Sequence, residues 1–232
     1  MVVVRSCSLW QSGPMGGAVF IGGGCSAADE ERLWNELFAV GGRVVCWPYA
    51  LRKRDAQASV HDWLTGELAK RGDLDVDTWI DVPDRAIAGL SSAQILFIPG
   101  GNTFALLDCL RARGWLGRVG EFVEGGGLLY GGSAGAILCG ADIAVAGLFD
   151  EDVVGISDTR ALDLLAGAVV YPHFTAADAP VVEQWAGTHD EPVLAVPERG
   201  GLIFRDGVFR ETGPERVGVF PSGAIELTAA VC

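Results

Sequence analysis

The sequence predicts an α/β fold: a mostly parallel sheet with helices on both faces, flavodoxin-like, ending in C-terminal antiparallel hairpins. Three observations predict it. Wholly apolar runs of four or five residues recur along the chain, they alternate with stretches whose apolar residues fall at helical spacing, and glycine-rich turns separate the two. Strands without polar alternation are covered on both faces, as in a parallel sheet between helical layers. The 232 residues are 50% hydrophobic and 20% charged, enough to bury a substantial core without metal or disulfide staples.

Residues 1–14 lack the basic start and long apolar stretch of a secretory signal; an extension over 1–15, an alternative start and an extra edge strand are all open, with 16–232 read as a single domain. Ala18-Val19-Phe20-Ile21 reads as a buried strand running into Gly22-Gly23-Gly24. Ser26, with Asp29 three residues on, reads as the cap of a helix whose stripe is Leu33, Trp34, Leu37 and Phe38. A second strand at 44–47 is followed by a basic turn and a helix around 61–70, with Trp63, Leu64 and Leu68 inward. Alternation at Leu74, Val76, Thr78 and Ile80 gives a third strand. Ile95-Leu96-Phe97-Ile98 gives a fourth, followed by Pro99-Gly100-Gly101-Asn102 and a helix carrying Phe104, Leu106, Leu107 and Leu110. The fifth, 127–130, runs into Gly131-Gly132-Ser133-Ala134-Gly135, and a later apolar strand, 168–172, precedes His173. Near the C-terminus, strands flank the hairpin signal Arg205-Asp206-Gly207, and short strands at 217–220 and 224–227 are read as continuing one antiparallel extension of the sheet.

Composition excludes several partners. Thirty acidic against seventeen basic residues give a formal charge of −13, a field that repels nucleic acid and anionic membranes. No apolar run approaches the about 20 residues of a membrane span. The six cysteines are scattered, form no C-x-x-C pair and mostly lie in apolar segments, which points to free thiols and a reducing compartment, the cytoplasm.

Gly131-Gly132-Ser133-Ala134-Gly135 fits G-x-S-x-G between a strand and a helix. In such an elbow the serine takes a strained backbone conformation, small neighbours let the turn close, and the helix start favours developing negative charge. A serine nucleophile needs a base, and the chain has three histidines. His61 and His189 sit in polar surroundings and read as surface residues; His173 follows an apolar strand and emerges at a strand end, where open α/β sheets bind ligands. Gly100-Gly101 and the N–H of Ala134 supply backbone donors for an oxyanion hole.

Pro99-Gly100-Gly101-Asn102-Thr103-Phe104, the Gly-Ser-Ala-Gly-Ala elbow, Pro172-His173-Phe174 and Leu194-Ala195-Val196-Pro197-Glu198 together resemble the dipeptidase E / cyanophycinase family of serine peptidases, in order along nearly the whole chain. The resemblance implies a fold akin to class I glutamine amidotransferases, with Ser133 as nucleophile, His173 as base, Gly101 and Ala134 as oxyanion donors, and Gly100 and Asn102 as substrate-contacting residues. It implies two sources for the third triad member: an acid between Ser and His, here Asp152 within Asp150-Glu151-Asp152, or a Glu after the His, here Glu198. Glu198, anchored after an apolar strand, is preferred to Asp152, whose acidic neighbours read as a solvated loop. The family's aspartyl dipeptidases also carry arginine shortly after the histidine, to read an acidic substrate side chain. Residues 175–192 here contain neither Arg nor Lys, so strict N-terminal Asp specificity is not expected; Arg160 and Arg199 read as surface arginines.

The expectation is therefore a cytoplasmic dipeptidase or exopeptidase acting on short peptides through an acyl-enzyme, without cofactor or metal, and monomer and homodimer are both open. Gly22-Gly23-Gly24-Cys25-Ser26-Ala27 formally matches a dinucleotide fingerprint, but the second strand ends in Cys46-Trp47-Pro48 with no acid for a ribose. A serine esterase and a non-catalytic binding protein on the same scaffold are the alternatives.

Overall fold

The computed structural model describes residues 16–81 and 84–229; the extension or edge strand at 1–15, with Cys7, and the terminal Cys232 lie outside them. In chain order the strands are β1 (Ala18–Gly22), β2 (Gly42–Cys46), β3 (Leu74–Thr78), β4 (Ile95–Ile98), β5 (Leu128–Gly132) and β6 (Val169–Tyr171). They continue with β7 (Val193–Ala195), β8 (Gly201–Arg205), β9 (Val208–Thr212), β10 (Gly218–Phe220) and β11 (Leu227–Thr228). The α-helices are α1 (Glu31–Phe38), α2 (Arg54–Leu68), α3 (Thr103–Ala112), α4 (Leu116–Glu124), α5 (Ala134–Cys139) and α6 (Ala179–Ala186).

Eight strands form the main sheet in the order β11-β9-β8-β1-β5-β4-β2-β3. From β1 to β3 every pairing is parallel, and β8 and β9 add antiparallel neighbours beside β1. The fold is thus the mostly parallel α/β sheet the sequence predicts. Period-2 alternation divides each central strand between two cores. Val19, Ile21, Val45, Leu96, Ile98 and Leu129 face one, with residues of α3, α4, α5 and α6. Ala18, Phe20, Val44, Ile95, Phe97 and Tyr130 face the other, with α1 and α2. On the second face Trp34 meets Phe97 and Tyr130 edge-on at 5.4 and 5.8 Å, while Phe97 stacks on Tyr130 at 4.4 Å. Each such buried side chain contributes about 1.5–3 kcal/mol by removal from water.

Three local expectations differ from the structure. Helix α1 starts at Glu31, not beside Ser26, because residues 27–30 form a separate turn closed by Glu30 N–H donating to Ser26 O. Trp63 is 37% exposed, since it lies at the outer edge of the ring cluster around Trp34. The C-terminal strands do not form one antiparallel extension. β10 pairs antiparallel with β7 in a separate three-stranded sheet, β10-β7-β6, and β11 runs parallel to β9. The expected hairpin does form between β8 and β9, with Asp206 and Gly207 both at positive φ (52° and 78°), the twist a tight two-residue turn requires.

Candidate active site

β1, β5 and β4 are adjacent and parallel, so their carboxyl ends deliver three loops to one place: the 22–25 turn, the serine elbow and the Pro99-Gly100-Gly101 loop. Ser133 lies between β5 and α5 at φ 51°, ψ −111°. This is a costly conformation for a residue with a Cβ, held by the surrounding chain. Its N–H donates to Gly22 O at 3.2 Å, and its carbonyl accepts from the N–H groups of Ala136 and Ile137. The hydroxyl does not cap α5; Oγ lies 2.9 Å from His173 Nε2.

The second sheet presents the other two side chains. β6 and β7 are parallel and in register, tied beyond their ends by Val196 N–H to Tyr171 O (2.8 Å) and Phe174 N–H to Val196 O (3.1 Å). His173 and Glu198, just past the two strands, therefore emerge side by side. His173 is another residue at positive φ (54°), and its N–H donates to Gly23 O at 3.1 Å. Its Nδ1 is 3.1 Å from Glu198 Oε1. With Nδ1–H donating to that carboxylate, Nε2 keeps its lone pair for the Ser133 O–H. The two side chains are 44% and 60% exposed, so the pair adds little stability; what it supplies is ring orientation.

Asp152 is not brought to the histidine. Its carboxylate accepts from the N–H groups of Val154, Gly155 and Ile156 in its own loop, at 3.1, 2.8 and 2.9 Å. Neighbouring Asp150 is the acid in the trio that reaches the site's framework: Oδ2 accepts from Thr103 N–H (2.9 Å) and Thr103 Oγ1 (2.7 Å) at the start of α3. The Asn102 side chain caps the same helix, accepting from Ala105 N–H at 2.9 Å, and its Nδ2 donates to Glu151 O at 2.9 Å. The acidic loop is thus a clasp on the helix that follows Gly100-Gly101. Sequence reading missed this because three adjacent acids look alike until their partners in a distant helix are known.

Gly100 lies against the serine: a Cβ there would stand 3.0 Å from Ser133 Cβ. Gly101 has φ 142°, and a Cβ would come 2.5 Å from Ala50 O, so only glycine fits. The next N–H, of Asn102, donates to Ala50 O at 2.8 Å. Ala50 is buried in the same core as a group of rings in which Trp47 lies 5.0 Å from Trp115 and 6.0 Å from Trp79. Ala134 is the first residue of α5, and a first-turn N–H has no acceptor inside its helix. In the glycine turn after β1, the N–H groups of Gly24 and Cys25, which in a dinucleotide site would face a pyrophosphate, both donate to the carboxylate of Glu30. Arg160 is paired through Nε and Nη2 with Asp158.

A strained serine at a strand-to-helix elbow, with a histidine and a carboxylate hydrogen-bonded in series behind it, is the arrangement of a serine hydrolase. Comparison with known proteins narrows the class. Residues 42–212 match the model of peptidase family S51, and the chain belongs to that family, the one its motifs resemble. It is 32% identical over 155 residues to peptidase E of Salmonella newport (strain SL254) and 30% identical over 157 residues to that of Salmonella gallinarum (strain 287/91 / NCTC 13346). Each match covers 62% of this chain and 66% of the relative, so the chain spans about two thirds of the length of those relatives. Among solved structures, a candidate peptidase E protein from Listeria monocytogenes EGD-e superposes with a TM-score of 0.71 at 19% identity, covering 86% of this chain and all of that one. A peptidase from an acI-B1 Actinobacterium gives 0.69 at 17% identity, covering 94% and 97%. These two likenesses concern the fold.

Proposed function

We propose that this chain is a serine-type peptidase that cleaves short peptides through an acyl-enzyme. The observation that carries the reading is the series Ser133 Oγ–His173 Nε2 (2.9 Å) and His173 Nδ1–Glu198 Oε1 (3.1 Å), built on the elbow. In the proposed reaction His173 takes the Ser133 proton as Oγ attacks the peptide carbonyl carbon. The N–H groups of Gly101 and Ala134 stabilise the oxyanion. His173 then passes the proton to the leaving amine, and a water, deprotonated in turn by His173, hydrolyses the ester. Glu198 holds the imidazole in the tautomer this needs.

The surroundings favour a substrate with an apolar side chain beside the site. Leu148, Phe149 and Val154 are 42%, 46% and 39% exposed on the segment that includes Asp150. Phe149 meets Tyr171, two residues before His173, edge-on at 5.3 Å, and the ring series continues through Phe174 to Phe220. An acidic side chain placed among these rings would lose water, and the 175–192 segment after His173 offers it no Arg or Lys. Cys25, Cys46, Cys109 and Cys139 are free thiols, which supports a cytoplasmic location. No helix among the described residues is long and apolar enough to cross a membrane.

The test is turnover of a dipeptide library beside p-nitrophenyl esters, with fluorophosphonate labelling mapped by mass spectrometry. The reading expects peptide hydrolysis and an adduct on Ser133 that disappears in His173→Ala. Ester turnover without any peptide turnover would make the protein an esterase, and no turnover with no adduct a binding protein. Glu198→Gln is expected to lower kcat by about 10⁴-fold, the scale seen when a triad's acid becomes an amide, while Asp152→Asn leaves kcat within about threefold. The reverse order would transfer the acid's role to Asp152.

A further inference from the structure

One buried ionisable group has no part in this chemistry. Glu30 is 2% exposed, yet its carboxylate accepts four hydrogen bonds. Oε1 takes the N–H groups of Gly24 (2.9 Å) and Cys25 (2.7 Å), and Oε2 takes Trp34 Nε1–H (2.9 Å) and Tyr130 O–H (2.5 Å). These donors fill both oxygens. They also come from three different pieces of chain: the 22–25 turn, helix α1, and β5 three residues before Ser133. Burial pushes the Glu30 carboxyl above its ordinary range, against the pull of the same four donors. A group this costly to bury is retained only where its bonds are complete.

The turn it holds is the one on which the active site leans. Gly22 O accepts the Ser133 N–H and Gly23 O accepts the His173 N–H. A Cβ on Gly24 would lie 3.5 Å from Glu198 Cβ. One four-residue turn therefore hydrogen-bonds the backbone of the serine and of the histidine and lies beside the side chain of the glutamate. Cys25 completes it at φ 75°, a conformation that needs fixing from outside. The Glu30 side chain provides that fixing through the Gly24 and Cys25 amides.

We propose that Glu30 is a positioning residue for catalysis: it clamps the 22–25 turn, and through that turn it sets the mutual placement of Ser133, His173 and Glu198. The proposal rests on the peptidase reading of the same site. A displacement of the order of 1 Å in such a constellation costs about 100-fold in rate. In Glu30→Gln one acceptor becomes an NH₂ donor, which opposes either the turn amides or the Trp34 indole. The expected result is a kcat lower by about 100-fold with KM within about twofold. Leu37→Ala, on the buried face of α1 and away from the turn, is expected to lower Tm without a comparable loss of kcat.

A second variant separates positioning from packing. In Glu30→Gln/Trp34→Phe the opposing indole N–H is gone. The amide can then turn its nitrogen toward Tyr130, whose hydroxyl accepts as well as donates, and keep its oxygen on Gly24 and Cys25. The double variant is expected to regain about tenfold in kcat over Glu30→Gln while its Tm falls further, a divergence that a packing role does not produce. Amide hydrogen exchange on the wild-type protein is expected to show Gly24 and Cys25 protected together, and this reading stands whether or not Glu30→Gln folds. A Glu30→Gln kcat within about threefold of wild type, an equal loss in Leu37→Ala, or fast exchange at both amides would each overturn the role of Glu30. Wild-type protein that turns over no peptide would instead overturn the peptidase reading itself.

Discussion

Three residues with a Cβ, Cys25, Ser133 and His173, take positive φ (75°, 51° and 54°) at the ends of β1, β5 and β6. Conformations of this kind cost about 1–3 kcal/mol each and persist where surrounding contacts over-determine them. At Ser133 those contacts are the Gly22 carbonyl and the first turn of α5. The cost can be measured. Ser133→Gly removes the Cβ that makes the conformation strained, while Ser133→Ala keeps it. Both are expected to be inactive, and the glycine variant is expected to be more stable by about 1 kcal/mol after the larger entropy of its unfolded chain is counted. Denaturant titration of the two proteins side by side checks this; an alanine variant as stable as the glycine one would mean the elbow stores no strain. At this scale the sequence was readable where a residue type is chemically scarce. With three histidines in the chain, strand context alone separated His173 from His61 and His189. Among the thirty acids it was readable only where an apolar strand anchors one, as at Glu198 beside His173. Glu30 stands in a run with Asp29 and Glu31, and nothing in that run says which carboxylate turns inward.

Among the elements, helix α3 is what fixes the loop carrying Gly101. Its first turn is held by Asn102 at its own N-terminus and by Asp150 from the acidic loop. Asp150→Ala leaves the Thr103 N–H and hydroxyl without this acceptor. A loss of about 1–2 kcal/mol in stability is expected, the scale of a removed helix cap, together with a kcat reduced by about tenfold as the Gly101 N–H loses its aim. A variant with lower Tm but unchanged kcat would separate the clasp from the oxyanion loop. The wholly apolar strands and amphipathic helices around this loop were legible because burial on both faces leaves a pattern in composition. The strands of the smaller sheet were legible as strands but not as a separate sheet. Val169, Val170, Val193 and Leu194 are as apolar as the residues of β4 or β5, and a local sequence carries no record of which neighbour it hydrogen-bonds.

For the molecule as a whole, the formal charge of −13 acts on any charged substrate approaching the strand ends. A dipeptide with an N-terminal Asp is expected to show a kcat/KM lower than its Leu or Phe counterpart by about 10–100-fold, the range one mismatched side chain commands. Raising ionic strength is expected to narrow that gap, because screening weakens the repulsion of the acidic substrate and leaves the neutral one nearly unchanged. A dipeptide series at two salt concentrations measures both effects. Preference for Asp, or a gap that widens with salt, would place a cation at the site and remove the apolar reading of Phe149 and its neighbours.

By itself the sequence determined the alternation of buried strands and amphipathic helices, the elbow at Ser133 and the histidine at the end of β6. Each of these is a local pattern set by side-chain periodicity, backbone sterics or residue type. Only the tertiary structure decided which acid meets His173 Nδ1, that Asp150 and Asn102 clasp α3, and that Glu30 lies beneath the turn shared by all three site residues. Those outcomes depend on contacts between segments well separated in the chain, by a hundred or more residues for Glu30 with Tyr130 and Gly23 with His173. A hydrogen bond of that kind is specified by where the sheet brings two strand ends together, not by the residues beside either partner.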